Sequence, residues 1–328
     1  MQSLIHADLS PAPMSRRTPD QGFPKGWYRV ADSGELEAGK LASLSCLDEE
    51  LIAFRGADGE ARVADAYCPH LGAHLASHDG AIEDGRIICP FHKWNFDAAS
   101  GQCVHIPYSD LPPSPVGLKV YETREIDGMV LIWYHPEGKP AEFEPFASDI
   151  GDDPGAWTLF TTMSGVSTAP FRDMLENLFD TAHIEQLHRS ASVPEVTGVE
   201  RTPYGMRVNY RTDPENTDVA MTSMEMHFTG ISLLAQRFVG EAFDTRFLHS
   251  YTPIDRERFF KHSYLYVRET GSAEMTQAIG KAFAERFVFE SEQDYRVLNY
   301  KKHIEQPRLC AGDGPINQFR KYAREFYC

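Results

Sequence analysis

Two short segments of the chain carry the same pair of donor types. Tyr67-Cys68-Pro69-His70 offers one thiol and one imidazole, and Ile88-Cys89-Pro90-Phe91-His92 offers another of each after an 18-residue spacer. A structural zinc site can use two Cys and two His, but zinc fingers take both cysteines from one arm and both histidines from the other. One of each per arm suits a different demand, a [2Fe–2S] centre in which two thiolates hold one iron and two imidazoles hold the other. Cys68, His70, Cys89 and His92 are the expected cluster ligands. His74 and His78 in the spacer, and His105 after it, have no cysteine at matching spacing and read as loop histidines. Cys46, Cys103, Cys310 and Cys328 also lack ligand spacing and read as buried or incidental thiols.

A second constellation lies in Asn177-Leu-Phe-Asp180-Thr-Ala-His183-Ile-Glu-Gln-Leu-His188. Asp180 and His183 are three apart and share a face of a helix. His183 and His188 are five apart, about 140° out of line in a regular helix. One metal takes both only if the helix widens or ends between them, and Ser190 and Pro194 supply an ending nearby. Two histidines and one carboxylate on one side of a metal form the facial triad of non-haem Fe(II) oxygenases, with positions left open for O₂. The carboxylate must come from elsewhere in the chain. A helix expected over 276–303 carries an apolar stripe through Phe283, Phe287 and Leu298, and Asp294 falls on that stripe. A carboxylate on a buried face is costly unless paired or metal-bound. Asp294 is the expected third ligand, with Glu290 near the same stripe as the alternative. Asn177 reads either as a neighbour of the iron or as an ordinary helix amide.

These residues need elements to position them. From 26 to 134 the chain reads as short strands, among them Leu51–Arg55, Ala61–Ala66, Gly85–Cys89 and Met129–Trp133. Asp58-Gly59, Asp84-Gly85 and Asp127-Gly128 mark turns between such strands. The Pro-, Gly- and Glu-rich stretch from Pro136 to Pro154 marks a boundary. Beyond it a helix over 171–188, several strands over 205–268 and the long helix suggest an antiparallel sheet with covering helices. The expected class is α+β: a lead-in over 1–25, an all-β cluster domain over 26–145 and a catalytic domain over 146–328.

The bulk numbers agree with a two-domain protein. There are 328 residues, 42% hydrophobic and 24% charged. A formal charge of −16 disfavours nucleic acid and anionic membrane surfaces as partners. No apolar run is long enough to span a bilayer, and the first residues lack the basic-then-apolar pattern of a signal peptide. Six cysteines are too sparse for a disulfide scaffold in a chain of this size, so a reducing, cytoplasmic location is expected.

Cys68-Pro-His70 and Cys89-Pro-Phe-His92, followed by Lys93-Trp94-Asn95-Phe96-Asp97 and Gly101, resemble the Rieske domain of the Rieske oxygenase family. Asp180-x-x-His183-x-x-x-x-His188 resembles that family's catalytic domain. In particular, Phe171–His183, Asp294 with Pro307 beyond it, and Gln318–Tyr327 resemble the oxygenase component of 3-ketosteroid 9α-hydroxylase and its sterol-modifying relatives. The resemblance implies an enzyme carrying a [2Fe–2S] cluster and a mononuclear Fe(II). It implies electrons from NAD(P)H through a reductase, with or without a ferredoxin, and a homotrimer. In that arrangement the Asp180 carboxylate accepts a hydrogen bond from His92 of one subunit and from His183 of the next. It also implies an apolar sterol- or steroid-like substrate to be hydroxylated, demethylated or desaturated. Met226, Phe228, Ile231, Leu233, Leu234 and Phe238 could wall such a pocket, or form a core strand of the sheet. A smaller aromatic substrate is the alternative. A Rieske electron carrier is the reading from another class, and the second constellation speaks against it.

Overall fold

A computed structural model describes residues 3–4, 22–78, 80–111, 115–146, 148–190, 193–213 and 220–328. Most of the expected lead-in, residues 1–2 and 5–21, lies outside the described residues. The chain divides into two compact units, Trp27–Pro145 and Phe146–Cys328, the latter joined by the N-terminal residues up to Gly26.

After β1 (Ser3–Leu4), the strands of the first unit follow in order: β2 (Gly26–Asp32), β3 (Ala42–Cys46), β4 (Glu49–Arg55), β5 (Ala61–Asp65) and β6 (Ala81–Glu83). Then come β7 (Arg86–Ile88), β8 (Asn95–Asp97), β9 (Cys103–His105), β10 (Thr123–Ile126) and β11 (Met129–Tyr134). They form three small sheets, ordered β10-β11-β2, β3-β4-β5 and β6-β7-β8-β9. Two of the hairpins turn on the expected Asp-Gly pairs. Asp84 and Gly85 have φ of 47° and 72°, and Asp127 and Gly128 have 51° and 77°, as the two-residue turn that matches strand twist requires. The β3–β4 hairpin uses the same geometry at Leu47 and Asp48, with φ of 58° and 60°. A leucine resists that conformation, and here its side chain is buried, which holds it in place. The core gathers Ile52, Phe54, Leu75, Ile87 and Phe96, with Cys68 and Cys89 inside the same cluster.

The second unit is built on one sheet. Its strands are β12 (Trp157–Ser167), β13 (Glu195–Thr202), β14 (Gly205–Arg211), β15 (Met221–Thr229), β16 (Leu233–Gly240), β17 (Asp244–Pro253) and β18 (Phe259–Arg268). With β1 they form eight strands in the order β1-β12-β18-β17-β16-β15-β14-β13. All neighbours are antiparallel except β1, which adds parallel to β12 with Ser3 opposite Met163. The region 205–268 thus holds five strands, and β12 and β13 widen the sheet beyond them.

The helices are α1 (Phe171–Asn177), α2 (Ala182–Gln186), α3 (Ala273–Leu298) and α4 (Ile316–Ala323). The single helix expected over 171–188 is two short ones with a break at 178–181. Helix α3 starts at Ser272, whose side chain accepts a hydrogen bond from the Met275 amide. It packs on β12 and β18. Gly280 permits that approach, since a Cβ there would lie 2.2 Å from the Phe160 ring. Phe283 then joins Met163, Phe247, Leu265 and Val267 in one apolar cluster.

Helix α1 is locked by buried charge. His303 Nδ1 donates to Asp173 at 2.6 Å, Lys301 reaches Asp173 at 3.0 Å, and Arg320 of α4 donates to Glu176 at 3.0 Å. Phe179, just past α1, stacks on Phe319 at 4.5 Å and on Phe228 at 5.3 Å. Burial opposes the Asp173 charge, but the His303 hydrogen bond and the Lys301 charge outweigh it and hold the carboxyl below its usual range. A depressed carboxyl stabilises the fold above its ordinary pKa of about 4 and loses that contribution as pH falls through the lower folded value. Asp173→Ala should cost about 1–3 kcal/mol in denaturant unfolding, because it leaves the buried His303 Nδ1–H without its acceptor. Asp173→Asn should flatten the loss of stability below about pH 4 that the parent shows.

Candidate functional site

The two Cys/His arms fold into matching loops. In the first, the Cys68 amide donates to Ala73 O at 2.9 Å and the Gly72 amide donates to Cys68 O at 2.9 Å. In the second, the Cys89 amide donates to Trp94 O at 2.9 Å and the Lys93 amide donates to Cys89 O at 3.1 Å. Each loop therefore closes on its cysteine at the same two offsets. The fourth residue after each cysteine has positive φ, 71° at Gly72 and 56° at Lys93. Both sulfurs are buried, and the His70 and His92 rings lie 4.7 Å apart. Trp94 stacks on His70 at 4.6 Å and donates through its indole N–H to the Tyr108 hydroxyl at 2.8 Å. His70 Nδ1 is buried with no hydrogen-bond partner among the described residues. Burial pushes the Cys68 thiol up to about 11, with Cys89 near enough to share a hydrogen bond. An orphaned imidazole nitrogen and paired buried sulfurs fit a group that supplies cations to both. Around the two histidines Tyr67, Leu71, Phe91 and Tyr108 are exposed.

The second site assembles at the broken helix. Asp180 does not share a helix face with His183 as expected. It lies in the break, where its Oδ1 accepts from the amides of Ala182 and His183 at 3.1 and 3.3 Å and so starts α2. The break is held from outside. Thr181 donates to Gly312 O at 3.3 Å, and Gly314, with φ of 73°, lies so close that a Cβ would be 2.4 Å from Phe179 O. Helix α2 ends at once: Arg189 takes φ of 57°, and the His188 amide reaches His183 O at 3.3 Å, a widened turn. That widening brings the two rings together, with centroids 4.9 Å apart.

Each imidazole is fixed through its Nδ1. His183 Nδ1–H donates to the Asp180 carbonyl at 2.5 Å, and His188 Nδ1–H donates to Gln293 Oε1 at 2.8 Å. Both Nε2 atoms are then left as acceptors. They lie 3.8 and 3.3 Å from Asp294 Oδ1, which is buried and has no hydrogen-bond partner among the described residues. The three ligand atoms fall within 4.8 Å of one another. Burial disfavours charge on His188, but the adjoining Asp294 carboxylate overrides it and raises the imidazole pKa. The donor set and the orphaned oxygen fit a divalent cation. Glu290 is not part of this cluster; it pairs with Arg286 at 2.6 Å. Asn177 extends its amide to His183 Nε2 at 3.3 Å. On the His183 side Asp180 accepts through its main-chain carbonyl, not through the carboxylate that was expected to bridge.

Gln293, which accepts from His188, and Trp94, which stacks on His70, were not anticipated in those roles. Gln293 carries no periodic signal, and only the fold carries it to His188. Met226, Phe228, Ile231, Leu233 and Leu234 of the apolar stretch 224–238 are buried in the core. Phe228 stacks on Phe179 as core, while Phe238 meets Phe247 and Phe283 beneath α3.

Residues 26–122 match the Rieske [2Fe–2S] domain family, and residues 132–327 match the 3-ketosteroid 9α-hydroxylase C-terminal domain family. The chain is similar to cholesterol 7-desaturase 1 of Ciona intestinalis, at 26% identity over 93% of this chain and 69% of that protein. It is similar to a probable 3-ketosteroid-9-alpha-monooxygenase oxygenase component of Rhodococcus rhodochrous, at 26% identity over 94% of this chain and 81% of that one. The fold resembles dicamba monooxygenase bound to dicamba, with a TM-score of 0.70 and 19% identity over 92% of this chain and 96% of that one. Such enzymes hold a [2Fe–2S] cluster and a mononuclear iron and work with a reductase. With the second family match spanning more than half of its length, the chain belongs to the Rieske non-haem iron oxygenases, as an oxygenase component with a catalytic domain of the 3-ketosteroid 9α-hydroxylase type.

Proposed function

We propose that this oxygenase oxidises an apolar sterol- or steroid-like polycycle by hydroxylation, demethylation or desaturation, in a cytoplasmic homotrimer fed by an NAD(P)H-dependent reductase. The observation that carries the chemistry is the convergence of His183 Nε2, His188 Nε2 and Asp294 Oδ1 in a chain that also has two one-Cys, one-His arms. Cys68, His70, Cys89 and His92 would hold the cluster, and His183, His188 and Asp294 the mononuclear iron. When bound, the cluster supplies single electrons and the Fe(II) supplies a site for O₂ activation.

The protein's own part is positioning. The Asp180 carbonyl and Gln293 keep the Nδ1 protons of His183 and His188, so the Nε2 lone pairs face inward. Trp94 holds the His70 ring flat against its own face. The exposed apolar rim around His70 and His92 suits docking against a second subunit. Asp180 would link the two centres across that contact, with His183 on its main-chain carbonyl and the partner's cluster histidine on its carboxylate. Among the described residues Asp180 Oδ2 takes no hydrogen bond, which leaves it for that role. The sterol reading draws on what the named relatives act on.

Cys89→Ser should abolish the visible absorption of the cluster. His183→Ala should leave that absorption intact and remove only the third iron on metal analysis; iron unchanged in this variant would refute the ligand set. Asp180→Asn should keep all the iron yet lower turnover about 10–100-fold. Full activity there, or a fully active monomer by light scattering, would sink the cross-subunit link. Reductase-coupled O₂ uptake should rise with sterols or steroids and not with benzoates or biphenyls. Uptake with small aromatics alone would overturn the substrate class and leave the iron chemistry standing.

A further inference from the structure

Among the described residues, Lys261 is a buried cation of the sheet that the proposed reaction leaves unexplained. It lies on β18 opposite Tyr251 of β17 and is 9% exposed. Among the described residues no carboxylate comes within ion-pair distance of its ammonium, and it makes no hydrogen bond. What it meets is aromatic: its Nζ lies 4.5 Å from the centroid of Phe287 and 5.7 Å from that of Tyr251. The polar groups near these rings are already satisfied by one another. His249 Nε2–H donates to Gln236 Oε1 at 2.8 Å, and its Nδ1 accepts from the Ser263 hydroxyl at 2.7 Å. Burial and the neighbouring Lys261 charge push the His249 pKa well down, so the ring adds no second positive charge beside Lys261.

A buried ammonium on π faces alone is poorly compensated, since cation–π attraction is small beside the loss of hydration. Among the described residues Asp294 supplies the anionic field that reaches Lys261, and burial still pushes the lysine down to about 8 against it. A dication held by Asp294 would absorb that carboxylate's charge. The compensating anion must then arrive from outside the chain.

Its position follows from α3. Phe287, under the ammonium, precedes Asp294 by seven residues on the same helix face, about 10 Å along the axis. An oxygen seated on Lys261 therefore lies beside Phe287, about two helical turns from Asp294 along α3. The rings of Phe287 and Phe247, stacked at 4.9 Å, supply apolar surface there.

We infer that Lys261 is a specificity-determining residue that binds a carboxylate at the far end of an otherwise apolar substrate. The inference rests on the reading of His183, His188 and Asp294 as the reacting centre. It narrows the substrate class to acids, such as a polycycle bearing a carboxylated side chain.

The test is isothermal titration calorimetry on the iron-loaded enzyme with two acid and ester pairs. One pair is a steroid carboxylic acid and its methyl ester, and the other is a naphthoic acid and its methyl ester. The acid should bind at least about tenfold tighter than its ester in whichever series binds, as expected for a buried charged hydrogen bond. In Lys261→Met and Lys261→Gln the ratio should fall to about one while the ester retains its affinity. A purely structural lysine would lower the melting temperature of the variants and leave the ratio unchanged. Equal binding of acid and ester in the parent, a preference surviving in the variants, or no binding in either series would each overturn the inference. Should one variant fail to fold, the other and the parent ratio decide. Binding confined to the naphthyl pair would count against the polycycle alone, and iron retained in His183→Ala against the reacting centre alone.

Discussion

A carboxylate oxygen held away from water without a donor is one of the costlier things a protein can keep. Asp294 Oδ1 is such an atom, facing two imidazole nitrogens that carry no proton to give it. Much of the catalytic unit can be understood as the apparatus that maintains this arrangement. Helix α3 is fixed at its start by the Ser272 cap and in its first half by Gly280 against Phe160, which sets the path of the helix that carries Asp294. Helix α1 is fixed by the buried ions around Asp173 and Glu176, and that anchors the break from which His183 emerges. The electrostatic debt is met when a cation arrives, which couples metal binding to the integrity of the unit.

The cluster unit solves a related problem by repetition. Two loops close on their cysteines through the same pair of backbone hydrogen bonds, and each needs one residue of positive φ. Glycine serves at 72, whereas Lys93 accepts the strain in the other loop. The repetition puts one sulfur and one imidazole from each arm in related positions, although the cysteine–histidine spacing differs between the arms. Trp94 fills the difference by stacking on His70.

Much of this was legible in the residues themselves. The one-Cys, one-His arms needed no fold to be read, because the pairing of one thiol with one imidazole in each arm separates a [2Fe–2S] centre from a zinc finger. Asp294 stood out because a charge on an apolar stripe demands a partner. The five-residue step from His183 to His188 also announced a distorted helix, and the widened turn at 188 provides it. What stayed hidden depends on tertiary context. The break at 178–181 has no proline or glycine of its own; it is imposed by the loop at 312–314, far away in sequence. Gln293 and Lys261 look like ordinary polar residues until the sheet and α3 bury them. Leu47 at a two-residue turn contradicts local preference outright, and only its burial explains it.

The two residues Ser3 and Leu4 have an effect out of proportion to their length. By pairing parallel to β12 they cover its outer edge at Met163 and Ser164. An open sheet edge is a template for another chain. Removing these residues would free the backbone groups of β12 at Met163 and Ser164 for pairing with another chain. Colloidal behaviour would then change without either metal site being touched, and a preparation made from the C-terminal side would keep the edge covered.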